Sequence, residues 1–347
     1  MFRCVAYNEA LQEEWDKLAL SQGTIFHTTA FRRVLLKTFG YECAYQAVVD
    51  EKGCIHALVP LLASRNLGLQ KVGVALPFIN YLDVCAVNEE ARQFAFASIP
   101  AIKDRLELAY VELRLKEQEL KQPGWTSHLE NYTFELSLSG DEEQVLAQSS
   151  ASNRNHVRKV YRNNWFQVSF DQEHLDAFYR VYVKRMKQLG SPAPSIRFFK
   201  QFFECMPDHT FLLTVLDART NQVTGGMLLI ASPSNGTLYY PYGANLVEYN
   251  GKYLNNFMYW EAAKLGMRLG LQQLDLGRSQ AGTGTFRYKE QWGATARQLR
   301  YLVCVPDCEK AGPVDRNKLS LYVELWKKMP QWITDAVGKR LIRYLLP

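Results

Sequence analysis

No run of eighteen apolar residues occurs in this 347-residue chain, so nothing in it reads as a membrane-spanning helix. The N-terminal stretch MFRCVAYNEALQEEWDKL is acidic and amphipathic and lacks the apolar centre of a secretion signal. Its six His show no HxxxH or HxH spacing, which removes the sequence support for a histidine-built metal site or a Ser–His hydrolase. The seven Cys are scattered, and only Cys304 and Cys308 are close, with no second pair to complete a zinc site. They read as reduced thiols of a cytoplasmic protein. The loop Asn245–Lys252 has the single glycine Gly251 and no Gly-x-Gly, so a compact phosphate cradle is missing there. Charge of one sign is scarce too. From Lys310 onward there are eight Lys or Arg against three Asp or Glu, which accounts for nearly all of the net +6 and leaves the body almost neutral. That balance argues against a general nucleic-acid-binding surface.

What remains is an ordinary globular composition, 47% hydrophobic, in a chain long enough for two cores. Helices are expected at 8–20 and 29–39, strands at 45–49, 55–62 and 71–74, an extended apolar run ending in a polar residue at 76–83, a helix at 89–106 and a strand at 110–115. A strand at 132–138 closes the first half. The second half repeats this order: helices at 173–189 and 195–206, strands at 210–217, 225–231 and 237–244, a helix at 253–269 and a strand at 272–276. The repeated order points to an internal duplication.

Chemistry concentrates in Leu274 to Gly293, LDLGRSQAGTGTFRYKEQWG. A strand end at Asp275 is followed by Arg278 and Ser279, then a glycine loop to which a ligand could approach closely, then Phe286, Tyr288 and Trp292 interleaved with Arg287, Lys289 and Glu290. Lys289 is the first candidate, as a fixed positive charge for a developing oxyanion. The bland alternative is a solvated Lys on an amphipathic strand with the aromatics as core. Asp275 alternates with Leu274 and Leu276 and suits a general base, or else a surface carboxylate paired with Arg278. Arg154, Arg158, Lys159 and Arg162 form one basic helix face, either a clamp for phosphate or carboxylate or a solvated surface. The step from the 237–244 strand to the helix starting near Tyr253 presents free N–H groups that suit an anion, or is simply a crossover. Over 318–346, Leu319, Tyr322, Val323, Trp326, Ile333, Val337, Leu341 and Tyr344 form one stripe broken at Pro330, with Lys327, Lys328, Lys339, Arg340 and Arg343 off it. Such a helix packs on the protein body or lies on an anionic membrane.

With SNRNHVRKVYRNN, LNNFMYWEAAKLGMRLG and DLGRSQAGTGTFRYKEQWGA in view, the chain resembles the FemAB-like branch of the GNAT-fold acyltransferases, and its tail is similar to that of FemAB-like proteins of exosortase and exopolysaccharide systems. The resemblance implies an α/β (α+β) fold of two GNAT-like (acyl-CoA N-acyltransferase) domains with mixed, mostly antiparallel sheets and a cleft between them. The expected division is 1–140, 141–312 and a basic amphipathic tail at 313–347. It implies transfer of an acyl or aminoacyl group to an amine of a cell-envelope or exopolysaccharide precursor. Lys289, Asp275 and a water held by Tyr242 are the expected catalytic groups, and Arg278, Ser279, Tyr288, Arg154, Arg158 and Asn256 the expected substrate contacts, with no metal. The donor is acyl-CoA or aminoacyl-tRNA. The coiled-coil arm of the cross-bridge enzymes is missing, which weighs against tRNA, and so is the glycine-rich pyrophosphate motif of ordinary GNATs. A peripheral place on the inner face of the cytoplasmic membrane, and a non-catalytic membrane-docked scaffold, are the companion readings.

Overall fold

The structure, a computed structural model, describes residues 1–116, 125–305 and 320–346. Cys308, Leu319 and the start of the expected tail segment lie outside the described residues.

The duplication expected from element order is visible in the strand pairing. In the first half, Lys71–Ala75 leads through the helix Glu89–Arg105 to Val111–Lys116, and the two strands pair in parallel. In the second half, Thr237–Asn245 leads through the helix Leu254–Arg268 to Gln273–Asp275, again in parallel. Every other strand pairing described is antiparallel. A crossover helix is what lets neighbouring strands run the same way.

The two halves share one sheet. The long strand Trp125–Ser137 pairs with Gln273–Asp275 of the second half on one side. On its other side lies Thr295–Cys304, which pairs in turn with Val111–Lys116 of the first half. The 12-stranded sheet therefore runs unbroken past Gly140, and the chain's last strand is laid against the first half. A separate 4-stranded antiparallel sheet carries Arg3–Ala6, Gln46–Val49, Ile55–Val59 and Cys85–Ala86.

Two local readings change. The run Leu76–Asp83, expected to be extended, is a buried loop in which Leu76 and Phe78 take positive φ. Stacking of Phe78 on Phe39 at 4.3 Å, together with the hydrogen bond from Leu82 N to Arg114 O, holds that backbone in place. The aromatic segment around Lys289 is a helix, Gly284–Glu290, rather than a strand. The Thr283 hydroxyl caps it by accepting from Phe286 N.

Past that helix, Gly293 has φ +76°, and a Cβ there would stand 2.3 Å from Gln148 O. Gly293→Ala is expected to lower stability by about 1–3 kcal/mol, read as a lower urea midpoint with an unchanged slope.

Candidate active site at the seam between the halves

The parallel pairing of Thr237–Asn245 with Gln273–Asp275 lasts only to Tyr239 and Asp275, and the shorter strand ends there, beside an opening lined from both halves. At the opening is a cavity of about 20 Å³, the size of one water molecule. Phe26, Ile79, Asn80 and Tyr81 line it from the first half, and Tyr239, Tyr240, Pro241 and Asp275 from the second. A substrate therefore enters only if this lining parts.

Asp275 is 1% exposed. The Tyr81 hydroxyl donates to its Oδ2 at 2.7 Å, while Thr133 Oγ1 and the Gly277 amide donate to Oδ1 at 2.8 and 2.7 Å. Among the described residues it has no ion pair. The surface pairing with Arg278 is not formed, because Arg278 instead donates to the Tyr301 hydroxyl at 2.6 Å. Burial pushes the Asp275 carboxyl above its ordinary range, and the three donors and the Lys289 charge oppose that shift only in part. Its cross-strand neighbour Glu135 is different: it is flanked by Lys116 at 2.6 Å and Arg297 at 3.2 Å. Asp275 is thus the carboxylate whose proton affinity is raised and which faces the opening.

Lys289 is 6% exposed, not solvated. Its Nζ donates to Gly277 O at 2.9 Å and Arg278 O at 3.1 Å and lies 5.5 Å from the Phe134 ring centre. Desolvation draws its pKa down to about 8; the Asp275 charge raises it in part, and Arg278 lowers it further. Lys289 does not line the cavity but sits behind the turn that follows Asp275. The short helix that carries it is held at its C-terminal end. Gln291 O accepts from Ser150 N at 2.7 Å and from Asn153 Nδ2 at 3.1 Å, and Asn256 Nδ2 donates to Asn153 Oδ1 at 2.9 Å. Trp292, 1% exposed, stacks on Tyr259.

The structure distributes the other expected residues unevenly. Ser279 Oγ is buried with no hydrogen-bond partner among the described residues, and the buried Tyr288 hydroxyl lies beside the Trp292 indole N–H. Asn256 is committed to Asn153, so it reaches the site through the scaffold. Arg154 donates to the carbonyls of Ser149 and Ala147, closing the end of the preceding helix, whereas Arg158 is exposed. Tyr242 stands apart from Asp275. Its hydroxyl donates to Phe78 O at 2.6 Å within a cluster of Phe198, Phe199 and Phe202, and burial holds its pKa well above 10. In that position it braces the seam loop instead of holding a water for Asp275. Tyr81 and Thr133 escaped the sequence reading. Tyr81 lies 194 residues from Asp275 in the chain, and its only trace was an apolar run ending in polar residues.

The likeness to known proteins follows the same lines. Residues 150–290 match the family model described as an acetyltransferase (GNAT) domain. The fold is similar to that of FemX, with 13% identity, a TM-score of 0.69, and coverage of 92% of this chain and 100% of FemX. It is also similar to L-PGS from Bacillus licheniformis (11% identity, TM-score 0.54, 86% of this chain and 96% of that one). A third likeness is to the C-terminal DUF2156 domain of a putative lysylphosphatidylglycerol synthetase from Agrobacterium fabrum (12% identity, TM-score 0.56, 86% and 92%). No curated protein matches the chain.

Removing the Tyr81 hydroxyl takes away a bond that favours the charged carboxylate, so Tyr81→Phe is expected to raise the Asp275 pKa further. Carbon-13 NMR of labelled Asp checks this, and an unchanged titration would show that the contact does not govern the carboxyl.

Proposed function

Residues 150–290 form a GNAT acetyltransferase domain and the chain is an acyltransferase with the FemAB-like fold; on that premise we propose that it transfers an acyl or aminoacyl group to the amine of a cell-envelope or exopolysaccharide precursor. The observation that carries this reading is that one turn at the seam holds both a buried carboxylate with three hydrogen-bond donors and a buried lysine bonded to the carbonyls of that turn. The acceptor amine attacks the donor carbonyl carbon. The carbonyl oxygen takes the electron pair and is stabilised by Lys289, which keeps two donors on Gly277 and Arg278 and turns the third to the oxyanion when the lining parts to admit the substrate. Asp275 accepts the amine proton. Collapse of the tetrahedral species expels the donor's thiolate or ribose alkoxide, which takes up the proton that Asp275 accepted from the amine.

The opening lined by Tyr81, Tyr239 and Tyr240 offers the acyl chain a path to Asp275 once that lining moves. Phosphates of either donor would meet the start of the helix Leu254–Arg268, which has no side-chain cap. Lys159 lies 5.3 Å from the ring centre of Tyr253 at that end and supplies positive charge. Arg278, Ser279, Tyr288, Arg154 and Arg158 are the proposed contacts to the rest of the substrates. The FemX-like fold over the whole of that chain favours aminoacyl-tRNA as a second reading of the donor, in line with the FemAB resemblance. Offering alanyl- or seryl-tRNA beside acetyl-CoA separates the two, and transfer from none of them to any amine would overturn the proposal.

Lys289→Met is expected to lower turnover by about 10²–10³-fold with the fold intact, measured by single-turnover transfer and circular dichroism. The protonated lysine is the active form, so wild-type activity is expected to fall as pH rises through about 8. Lys289→Arg, which stays charged, is expected to lose that alkaline limb whatever its absolute rate.

A further inference from the structure

Of the expected apolar stripe of the tail, the structure buries Trp326, leaves Val323, Ile333, Leu341 and Tyr344 half-buried and exposes Tyr322 and Val337. The helices Ser320–Lys328 and Gln331–Leu345 turn at Pro330. Trp326, Thr334, Gly338, Ile342 and Leu346 face the body and are buried. Tyr41 donates to Arg343 O at 3.0 Å and Arg114 Nη2 to Leu346 O at 2.7 Å, so the tail is fastened to the first half. On the second helix Trp332, 73% exposed, lies opposite the buried line, while Tyr322 at 66%, Leu325 at 49% and Val337 at 44% exposure add apolar surface around it. Exposed Lys328, Lys339 and Arg340 stand among them. Trp332, Ala336 and Arg340 follow at four-residue spacing and share one line of the second helix. The acidic groups of this region are engaged: Glu324 by Lys327 at 2.7 Å, and Asp335 by Gln331 at 2.7 Å.

We propose that this outer face is a docking surface for an anionic lipid bilayer. Trp and Tyr combine an apolar body with a polar edge and settle at the depth of lipid headgroups, while the cations meet anionic phosphates. A second copy of the chain is a poor occupant, because a two-fold contact would set Lys328, Lys339 and Arg340 against the same cations. No helix among the described residues is long and apolar enough to cross a membrane, so the association is peripheral. Because the inner face is tied to Arg114, and Arg114 also bonds Ile79 O in the seam loop, docking holds the cleft at a set orientation to the lipid. The proposal stands apart from the acyl-transfer reading, since binding is scored without turnover.

The full chain is mixed with phosphatidylcholine vesicles with and without phosphatidylglycerol, and sedimentation is measured against salt. Retention is expected only with phosphatidylglycerol, weakening as salt rises. Trp332→Ser and the pair Lys339→Glu, Arg340→Glu are each expected to bind about ten-fold more weakly, with unchanged melting and unchanged transfer to a soluble amine. Absence of retention, equal retention on neutral vesicles, or variants that bind as the wild type would each overturn the proposal. So would a concentration-dependent dimer that Trp332→Ser dissolves, which would assign the face to a second copy.

Discussion

Burial of the Asp275 carboxylate is the constraint around which the rest of the structure is arranged. A carboxylate removed from water must be supplied with donors, and here they come from three separate places: the seam loop through Tyr81, the shared strand through Thr133, and the following turn through the Gly277 amide. The same set of bonds therefore solvates the charge and joins the two halves of the molecule. The turn after Asp275 is in turn held by Lys289, whose own burial is made tolerable by the Gly277 and Arg278 carbonyls and the nearby carboxylate. Neither group is comfortable alone, since each is displaced from its ordinary proton affinity mainly by loss of water.

The scaffold serves that arrangement. Each half has a short parallel pairing spanned by a crossover helix, and in the second half that pairing ends at Tyr239 and Asp275, where the cavity lies. The shared sheet prevents the halves from hinging freely, because the strand Thr295–Cys304 is hydrogen-bonded to both Trp125–Ser137 and Val111–Lys116. Access to the site then depends on the aromatic lining and the seam loop, not on separation of two independent bodies. The loop is itself tied to the shared sheet through Arg114 and to the second half through Tyr242. A glutamate beside the site, Glu135, is ion-paired with Lys116 and Arg297, whereas Asp275 has no ion pair among the described residues.

Residue order by itself determined the repeated helix and strand elements, the concentration of chemistry between Asp275 and Gly293, and the candidacy of Lys289, because periodicity, turn residues and unusual clustering are local properties of the chain. It misread the Lys289 segment as extended, since in seven residues alternating aromatics mimic a strand and only the Thr283 cap reveals the helix. Tertiary structure alone decided the partners. Tyr81 reaches Asp275 across the seam, Arg278 turns to Tyr301, Tyr242 is drawn into an aromatic cluster, and the tail buries Trp326 while leaving Tyr322 and Val337 exposed. These choices depend on which surfaces meet after the sheet closes and on how much water each polar group loses there, and neither quantity exists until the chain has folded.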